Sequence, residues 1–341
     1  MKNILITGGA GFVGFHLSGH PYFKDCDKLV LTDNLNSYYD PALKYGRLGE
    51  RGFQVDEKTP EMKAISNDRG WLFYKADLKD TENMKALFKE HHFTQVIHLG
   101  AQAGVRYSIE NPQSYVDSNL QGFMNILECC RHNKIEHLLY ASSSSVYGAN
   151  KKVPFHEDDP VTEPISLYAA TKRSNEVLAH SYSHLYGLPC TGLRFFTVYG
   201  PWGRPDMAYF SFAEKIIAGQ SIQVFNNGDM KRDFTFVEDI TESISRLVEK
   251  PMSAGKDRVP ARILNIGHGS PVDLLEFIKI IEKNLGMEAK KEFLPMQDGD
   301  VPMTWADTSQ LEALTGYTPK VTLEEGIEKF ASWYKRYREI I

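Results

Sequence analysis

Tyr168 and Lys172 stand four residues apart at the start of a stretch, Leu167 to Tyr186, whose Val177, Leu178, Tyr182 and Leu185 recur at helical spacing. On a helix that separation turns both side chains to one side. A lysine ammonium beside a phenol favours the phenolate and draws its pKa down from about 10 toward neutrality. A tyrosine so tuned can take a hydroxyl proton while a hydride leaves the same carbon. Tyr-x-x-x-Lys alone is commonplace, since a lysine often lays its stem along a surface tyrosine. The run of serines Ser142 to Ser145 lends it weight, because it lies between the apolar His137-Leu138-Leu139-Tyr140-Ala141 and Val146-Tyr147-Gly148. That is the carboxyl end of an expected strand, where an open α/β sheet places its ligands.

A second constellation opens the chain. Ile4-Leu5-Ile6 reads as a buried strand, Thr7-Gly8-Gly9-Ala10-Gly11-Phe12-Val13-Gly14 as a turn, and Phe15-His16-Leu17 as the start of a helix. Gly8 suits a tight turn, Gly11 lets the backbone approach a pyrophosphate, and Gly14 lets the helix pack closely on the strand. The helix N-terminus then faces the phosphates. Leu29-Val30-Leu31 is a second apolar run ending at Thr32-Asp33-Asn34, and Asp33 lies 19 residues beyond Gly14. An acid near that spacing meets the adenosine ribose, and a carboxylate there would repel the 2′-phosphate of NADP, so the expected cofactor is NAD.

The elements that carry these residues alternate through the first half. Strands are expected at Leu72 to Ala76, before Asp77-Leu78, at Gln95 to Leu99, at His137 to Ala141 and at Gly192 to Phe196. Helices are expected at Asp80 to Lys89, Tyr115 to His132 and Leu167 to Tyr186, with Tyr38 to Arg69 as a long polar connection. This pattern predicts a Rossmann-type, doubly wound parallel sheet of the α/β class. Later signals are helices at Phe210 to Ala218, Ile240 to Glu249, Val272 to Leu285 and Leu323 to Arg338, with extended runs at Ile222 to Phe225 and Ile263 to Ile266. We therefore expect a nucleotide-binding domain over 1–198 with returns near 232–266, and a smaller, discontinuous α/β substrate lobe mainly over 199–341.

Composition sets the class. A chain of 341 residues with 42% hydrophobic and 24% charged residues has the balance of a soluble globular protein. Its net charge of −5 gives no sign of a nucleic-acid surface. No apolar run is long enough for a bilayer, and with a strand so close to Met1 no signal peptide is expected. Cys26, Cys129, Cys130 and Cys190 have no metal-ligand spacing, so no metal site is expected. Reduced thiols and a cytoplasmic enzyme are the expectation.

Several longer motifs carry a family resemblance. They are His98-Leu99-Gly100-Ala101-Gln102-Ala103-Gly104-Val105-Arg106-Tyr107-Ser108, Ser142 to Gly148, Tyr168-Ala169-Ala170-Thr171-Lys172, Arg194 to Asp206, Arg232-Asp233-Phe234 and Gly299-Asp300-Val301. The chain resembles the extended short-chain dehydrogenase/reductases, and more narrowly the UDP-glucuronate 4-epimerases, almost end to end. Gly100 departs from the alanine expected there, a small-for-small change near the cofactor.

The resemblance implies a role for each matching residue. Tyr168 would be the acid/base, Lys172 would also hold the nicotinamide ribose, and Ser143 would hydrogen-bond the reacting hydroxyl. Gly8, Gly11, Phe12, Val13, Gly14, Asp33 and Asn34 would bind NAD, with Asp77 and Leu78 at the adenine. Asn119 would steady the active-site hydrogen bonds, or equally serve as a helix cap. Arg232 would pair with the UDP diphosphate, Asp300 would take ribose hydroxyls and Phe225 would line the uracil pocket. Arg106 reads equally as a loop residue fixing its own backbone. In the family the helices Tyr115 to His132 and Leu167 to Tyr186 pack on their copies, which implies a homodimer.

Chemistry narrows the reaction. Oxidising C4 of UDP-glucuronate makes a ketone β to the carboxylate, so carbon dioxide can leave unless the carboxylate is held near the carbonyl plane. Related decarboxylases carry a glutamate immediately before Val-Tyr-Gly, and related dehydratases carry Asp-Glu, where this chain has Ser144-Ser145. Hydroxyls can hold a carboxylate that an acid would repel. Thr197, and with less weight Arg204, would hold the same group. The expected activity is 4-epimerisation of UDP-glucuronate to UDP-galacturonate. The alternatives are a 4-epimerase of another UDP-hexose and, remotely, a catalytically silent NAD-binding regulator.

Overall fold

The computed structural model describes residues 1–340 apart from 254, 256, 257 and 298. It divides into two compact units, the first comprising Met1–Val146, Ser166–Arg194 and Thr241–Leu264, the second Tyr147–Ile165, Phe195–Ile240 and Asn265–Ile341. Among the described residues, no helix is long and apolar enough to cross a membrane.

The first unit is built on strands β1 (Asn3–Thr7), β2 (Lys28–Asp33), β3 (Ile65–Ser66), β4 (Leu72–Lys75), β5 (Gln95–His98), β6 (His137–Ser143) and β7 (Cys190–Phe195). The remaining strands are β8 (Thr197–Tyr199), β9 (Ser221–Val224), β10 (Lys231–Phe236), β11 (Ala261–Ile266), β12 (Pro271–Asp273) and β13 (Lys290–Phe293). The main sheet runs β11-β7-β6-β5-β1-β2-β4-β3, with β1 parallel to both β2 and β5. Its central strands are buried, and their near-continuous apolar runs are what a sheet covered on both faces requires. Leu5, Val30, Val96 and Leu138 share one cluster with Leu87, Phe88, Phe123 and Leu127 of the flanking helices. The order reverses between β1 and β5, and an open parallel sheet binds ligands at the carboxyl ends beside such a reversal.

Three expectations need correction. The polar stretch Tyr38 to Arg69 is not a plain connection, since it forms the helix Ala42–Glu50 and the edge strand β3, antiparallel to β4. The cations on and just after that helix turn inward. Arg47, wholly buried, donates to the Ala10 carbonyl at 2.9 Å, and Arg51 donates to the Phe15 carbonyl at 3.0 and 3.1 Å. The helix expected over Tyr115 to His132 is a segmented rod of Pro112–Tyr115, a π-helical stretch Val116–Gln121 and Gly122–His132. The helix expected from Val272 begins at Leu274, because Pro271–Asp273 pairs with β10.

The division also differs from the expected cut after residue 198. Residues 147–165 join the second unit, where Tyr147 donates to Asn265 at 2.6 Å and stacks on Phe155 at 4.5 Å. The returning segment is 241–264, because β10 pairs with β8 and β12 rather than with the main sheet. That three-stranded sheet, the pair β13-β9 and an aromatic cluster of Phe210, Phe330, Trp333 and Tyr334 build the second unit.

The glycine turn has no slack. Gly8 has φ +69°, and a Cβ at Gly14 would lie 2.3 Å from the Gly8 carbonyl oxygen. The third glycine therefore clears the turn itself. Gly14→Ala should overpack this contact and lose about 1–3 kcal/mol, seen as a lower denaturant midpoint. An unchanged midpoint would show that the turn can yield.

Candidate active site

The helix Leu167–Tyr186 starts where Ser166 accepts a hydrogen bond from the Ala169 N–H at 3.1 Å, and it stops at Gly187 in the left-handed region. This places Tyr168 and Lys172 in its first turns. Lys172 is buried, and its ammonium donates to the Ala141 carbonyl on β6 at 2.9 Å. Burial pushes its pKa down to about 8. Such a lysine can release and regain a proton near neutrality. Tyr168 is half-buried, its ring edge-on to Tyr115 at 6.0 Å, and Tyr115 donates to the Ala103 carbonyl at 2.8 Å.

β6 continues through Ser142 and Ser143, and Ser144–Tyr147 form a 3-10 turn. Ser143 Oγ accepts from the Ser145 N–H at 3.2 Å and donates to Ser145 Oγ at 3.1 Å, while Ser144 and Ser145 are half-buried. Ser142 turns to the other face and donates to Glu176 at 2.7 Å. Glu176 is buried against Arg194 of β7, whose Nε and terminal nitrogen each donate to one carboxylate oxygen at 2.9 Å. Sequence reading missed this cluster. One signal was present, since Glu176 stands four residues beyond Lys172 and extends the same helix stripe.

Asn119 is not a helix cap, because it lies inside the π-helical stretch. Its Oδ1 accepts from the Gln102 N–H at 2.8 Å, and its two amide hydrogens go to the Gln102 carbonyl at 3.0 Å and Thr171 Oγ1 at 3.1 Å. No N–H remains for a substrate. The residue instead ties the loop after β5 to the helix one position before Lys172.

The nucleotide cradle lies at the reversal. Gly11 caps the helix Phe12–Ser18 without any side-chain bond, so the first-turn N–H groups of Phe12, Val13 and Gly14 are left for an external acceptor. A Cβ at Gly8 would meet the Gly100 nitrogen at 2.7 Å, and one at Gly11 would meet the Gly8 oxygen at 2.9 Å. A side-chain-free surface at a positive helix end fits a pyrophosphate. At position 100, the methyl of an alanine would sit 2.9 Å from Leu78 Cδ1, the far end of a flexible side chain, and 3.1 Å from Thr7 Oγ1. Asp33 closes β2, and Asn34 donates to Asp77 at 3.3 Å, bringing the expected ribose and adenine residues together. His98, at the end of β5, hydrogen-bonds Thr7 at 2.8 Å, and burial lowers its pKa to about 3.

In the second unit, Arg232 and Asp300 meet each other at 2.6 Å, and Arg232 also donates to the Pro302 carbonyl at 3.2 Å. Burial lowers the Arg232 pKa. The neighbouring Asp233 is buried and accepts from the N–H groups of His268, Gly269 and Ala306 at 2.8, 2.9 and 3.0 Å, fixing two loops. Arg204 binds Asp206 at 2.7 Å, Thr197 sits on β8 opposite Phe234, and half-buried Phe225 opens a 3-10 turn.

The chain matches the NAD dependent epimerase/dehydratase family over residues 4–267. It is 46% identical to a UDP-glucuronate 4-epimerase of Arabidopsis thaliana over 98% of this chain and 75% of that protein. It is 45% identical to a probable UDP-glucuronate 4-epimerase of Rhizobium meliloti over 98% and 97% of the two chains. The crystal structure of a UDP-glucuronic acid 4-epimerase from Bacillus cereus, in complex with UDP-glucuronic acid and NAD, superposes with a TM-score of 0.85 at 32% identity, covering 99% of this chain and all of that one. A family match across residues 4–267, joined to relatives nearly half identical along almost the full chain, makes this protein a member of the NAD dependent epimerase/dehydratase family.

Proposed function

We propose that the protein interconverts UDP-glucuronate and UDP-galacturonate by inverting C4 through a 4-keto sugar. The observation that carries this reading is the linked hydroxyls of Ser143 and Ser145 on the strand to which Lys172 is fastened, with Ser144 and Ser145 and no acid before Val146. Relatives called UDP-glucuronate 4-epimerases support it. Bound NAD supplies the hydride acceptor and, later, the hydride donor. Tyr168 takes the C4 hydroxyl proton and returns it after the sugar turns. Lys172, held by the Ala141 carbonyl, favours the phenolate. Ser143 orients the hydroxyl, and Ser144 and Ser145 hold the carboxylate near the carbonyl plane, where its carbon–carbon bond cannot overlap the ketone. In the second unit, Arg232 and Asp300 serve the diphosphate and ribose, exchanging their mutual pair for those groups.

We further place the enzyme in the cytoplasm as a homodimer. All four cysteines are free thiols, as a reducing compartment would keep them. Val116, Val177, Leu185 and Tyr186 expose apolar surface on the helices expected to meet a second copy. Light scattering at working concentration should give twice the chain mass, and a monomeric mass would refute the pairing.

Purified protein incubated with UDP-glucuronate and no added NAD should yield UDP-galacturonate. Tyr168→Phe should lose at least about 100-fold in kcat while retaining NAD, since only the proton-transfer group is removed. Wild-type turnover in that variant would refute the assignment. Ser145→Glu should make less UDP-galacturonate and release carbon dioxide. Losing one hydrogen bond to a charged group is worth about 1.5–3 kcal/mol, or roughly one to two powers of ten in the leak. Ser145→Ala, measured beside it, separates repulsion from simple loss of the hydroxyl. If both variants bind substrate and release no more carbon dioxide than the parent, the serines do not restrain the carboxylate.

A further inference from the structure

Asp33 does not stand alone at the end of β2. The ammonium of Lys44, on the inward-turned helix Ala42–Glu50, donates to Asp33 Oδ1 at 3.2 Å, and both side chains are only 7% exposed. The same ammonium donates to Asn36 Oδ1 at 3.0 Å and lies 5.4 Å from the Tyr39 ring centroid. The Leu35 N–H also donates to Asp33 Oδ1, at 2.9 Å. One carboxylate oxygen therefore takes both bonds. The other, Oδ2, receives no hydrogen bond from the described residues.

Two consequences follow from this geometry. The carboxylate cannot rotate freely, so Oδ2 is presented in one direction, as a ribose diol requires. The local charge is also a pair rather than a bare negative, so exclusion of a 2′-phosphate depends on Asp33 occupying the Lys44 charge. Removing one member of a buried pair leaves an uncompensated ion, and an anion that restores the balance is then strongly favoured. The 2′-phosphate of NADP is such an anion, carried on the ribose that Asp33 would otherwise bind.

We propose that Lys44 is the specificity-determining partner of Asp33: paired, it positions Oδ2 for the ribose of NAD, and released, it becomes the binding group for the 2′-phosphate of NADP. The proposal rests on the nucleotide site at β1 and β2 described above, and concerns only the adenosine ribose end of it.

The test uses the full chain as wild type, Lys44→Met, Lys44→Arg, Asp33→Asn and Asp33→Asn/Lys44→Met. Nucleotide retained on purification is released by heat and identified by chromatography, and stripped protein is titrated with NAD and NADP at low and high salt. Circular dichroism checks folding. Lys44→Met should bind NAD about 10-fold or more weaker without gaining NADP, and Lys44→Arg should keep most of the NAD affinity. Asp33→Asn should gain about 10-fold or more in NADP affinity, with strong salt dependence, and the double variant should lose that gain. NADP binding as tight in the double variant as in Asp33→Asn, or NAD binding by Lys44→Met equal to wild type, would overturn the proposal. If Asp33→Asn does not fold, the comparison of Lys44→Met with Lys44→Arg decides, equal loss in the two counting against it. A wild type that neither retains nor binds NAD would instead refute the nucleotide site itself.

Discussion

One buried carboxylate holds the chemical elements together. Glu176 sits on the helix of Tyr168 and Lys172, accepts from Ser142 on β6, and pairs through both oxygens with Arg194 on β7. Three elements distant in sequence thus share one charged contact with almost no water around it. Breaking such a pair by removing one partner typically costs about 3–5 kcal/mol, because the remaining charge stays buried. The arrangement is more than a brace. Ser142 and Ser143 point to opposite faces of the strand end, so anchoring the first sets the direction of the second. Lys172, one turn before Glu176, is fastened to the same strand at Ala141.

The same use of polar side chains recurs beside the glycine turn. Asn119 ties the loop after β5 to the helix Leu167–Tyr186, and Arg47 and Arg51 hold the glycine turn and first helix through backbone carbonyls. In the second unit Asp233 does this for the loops at His268 and Ala306. Loops that must leave N–H groups open to a ligand cannot pack on apolar neighbours at those points. Side chains reaching their other polar groups supply the rigidity, and each contact satisfies a backbone atom that would otherwise be orphaned.

This frame accommodates a reaction in which the oxidised intermediate is the unstable component. A keto sugar bearing a β-carboxylate loses carbon dioxide readily, so selectivity lies in where the carboxylate is held. On the proposed reading the two serines in the turn after β6 would offer the hydroxyls, and the turn is itself fixed by Ser143 accepting the Ser145 N–H.

Residue order by itself determined the parallel sheet, the glycine turn, the catalytic helix and its tyrosine–lysine stripe. Those features rest on interactions within about a turn of helix or on a strand's own burial, so spacing and hydrophobic period record them directly. It also determined that serines, not acids, precede Val146. Tertiary structure decided what lies beyond that range. It turned the helix Ala42–Glu50 of the polar stretch inward, because Lys44, Arg47 and Arg51 find a carboxylate and carbonyls that no local pattern reveals. It assigned 147–165 and β10 to the second unit, since strand pairing between remote segments has no local signature. It gave Asp33 a cationic partner and Arg232 an acidic one, joining residues 11 and 68 positions apart. The chemistry was written in neighbouring residues, and its electrostatic setting was made by distant ones.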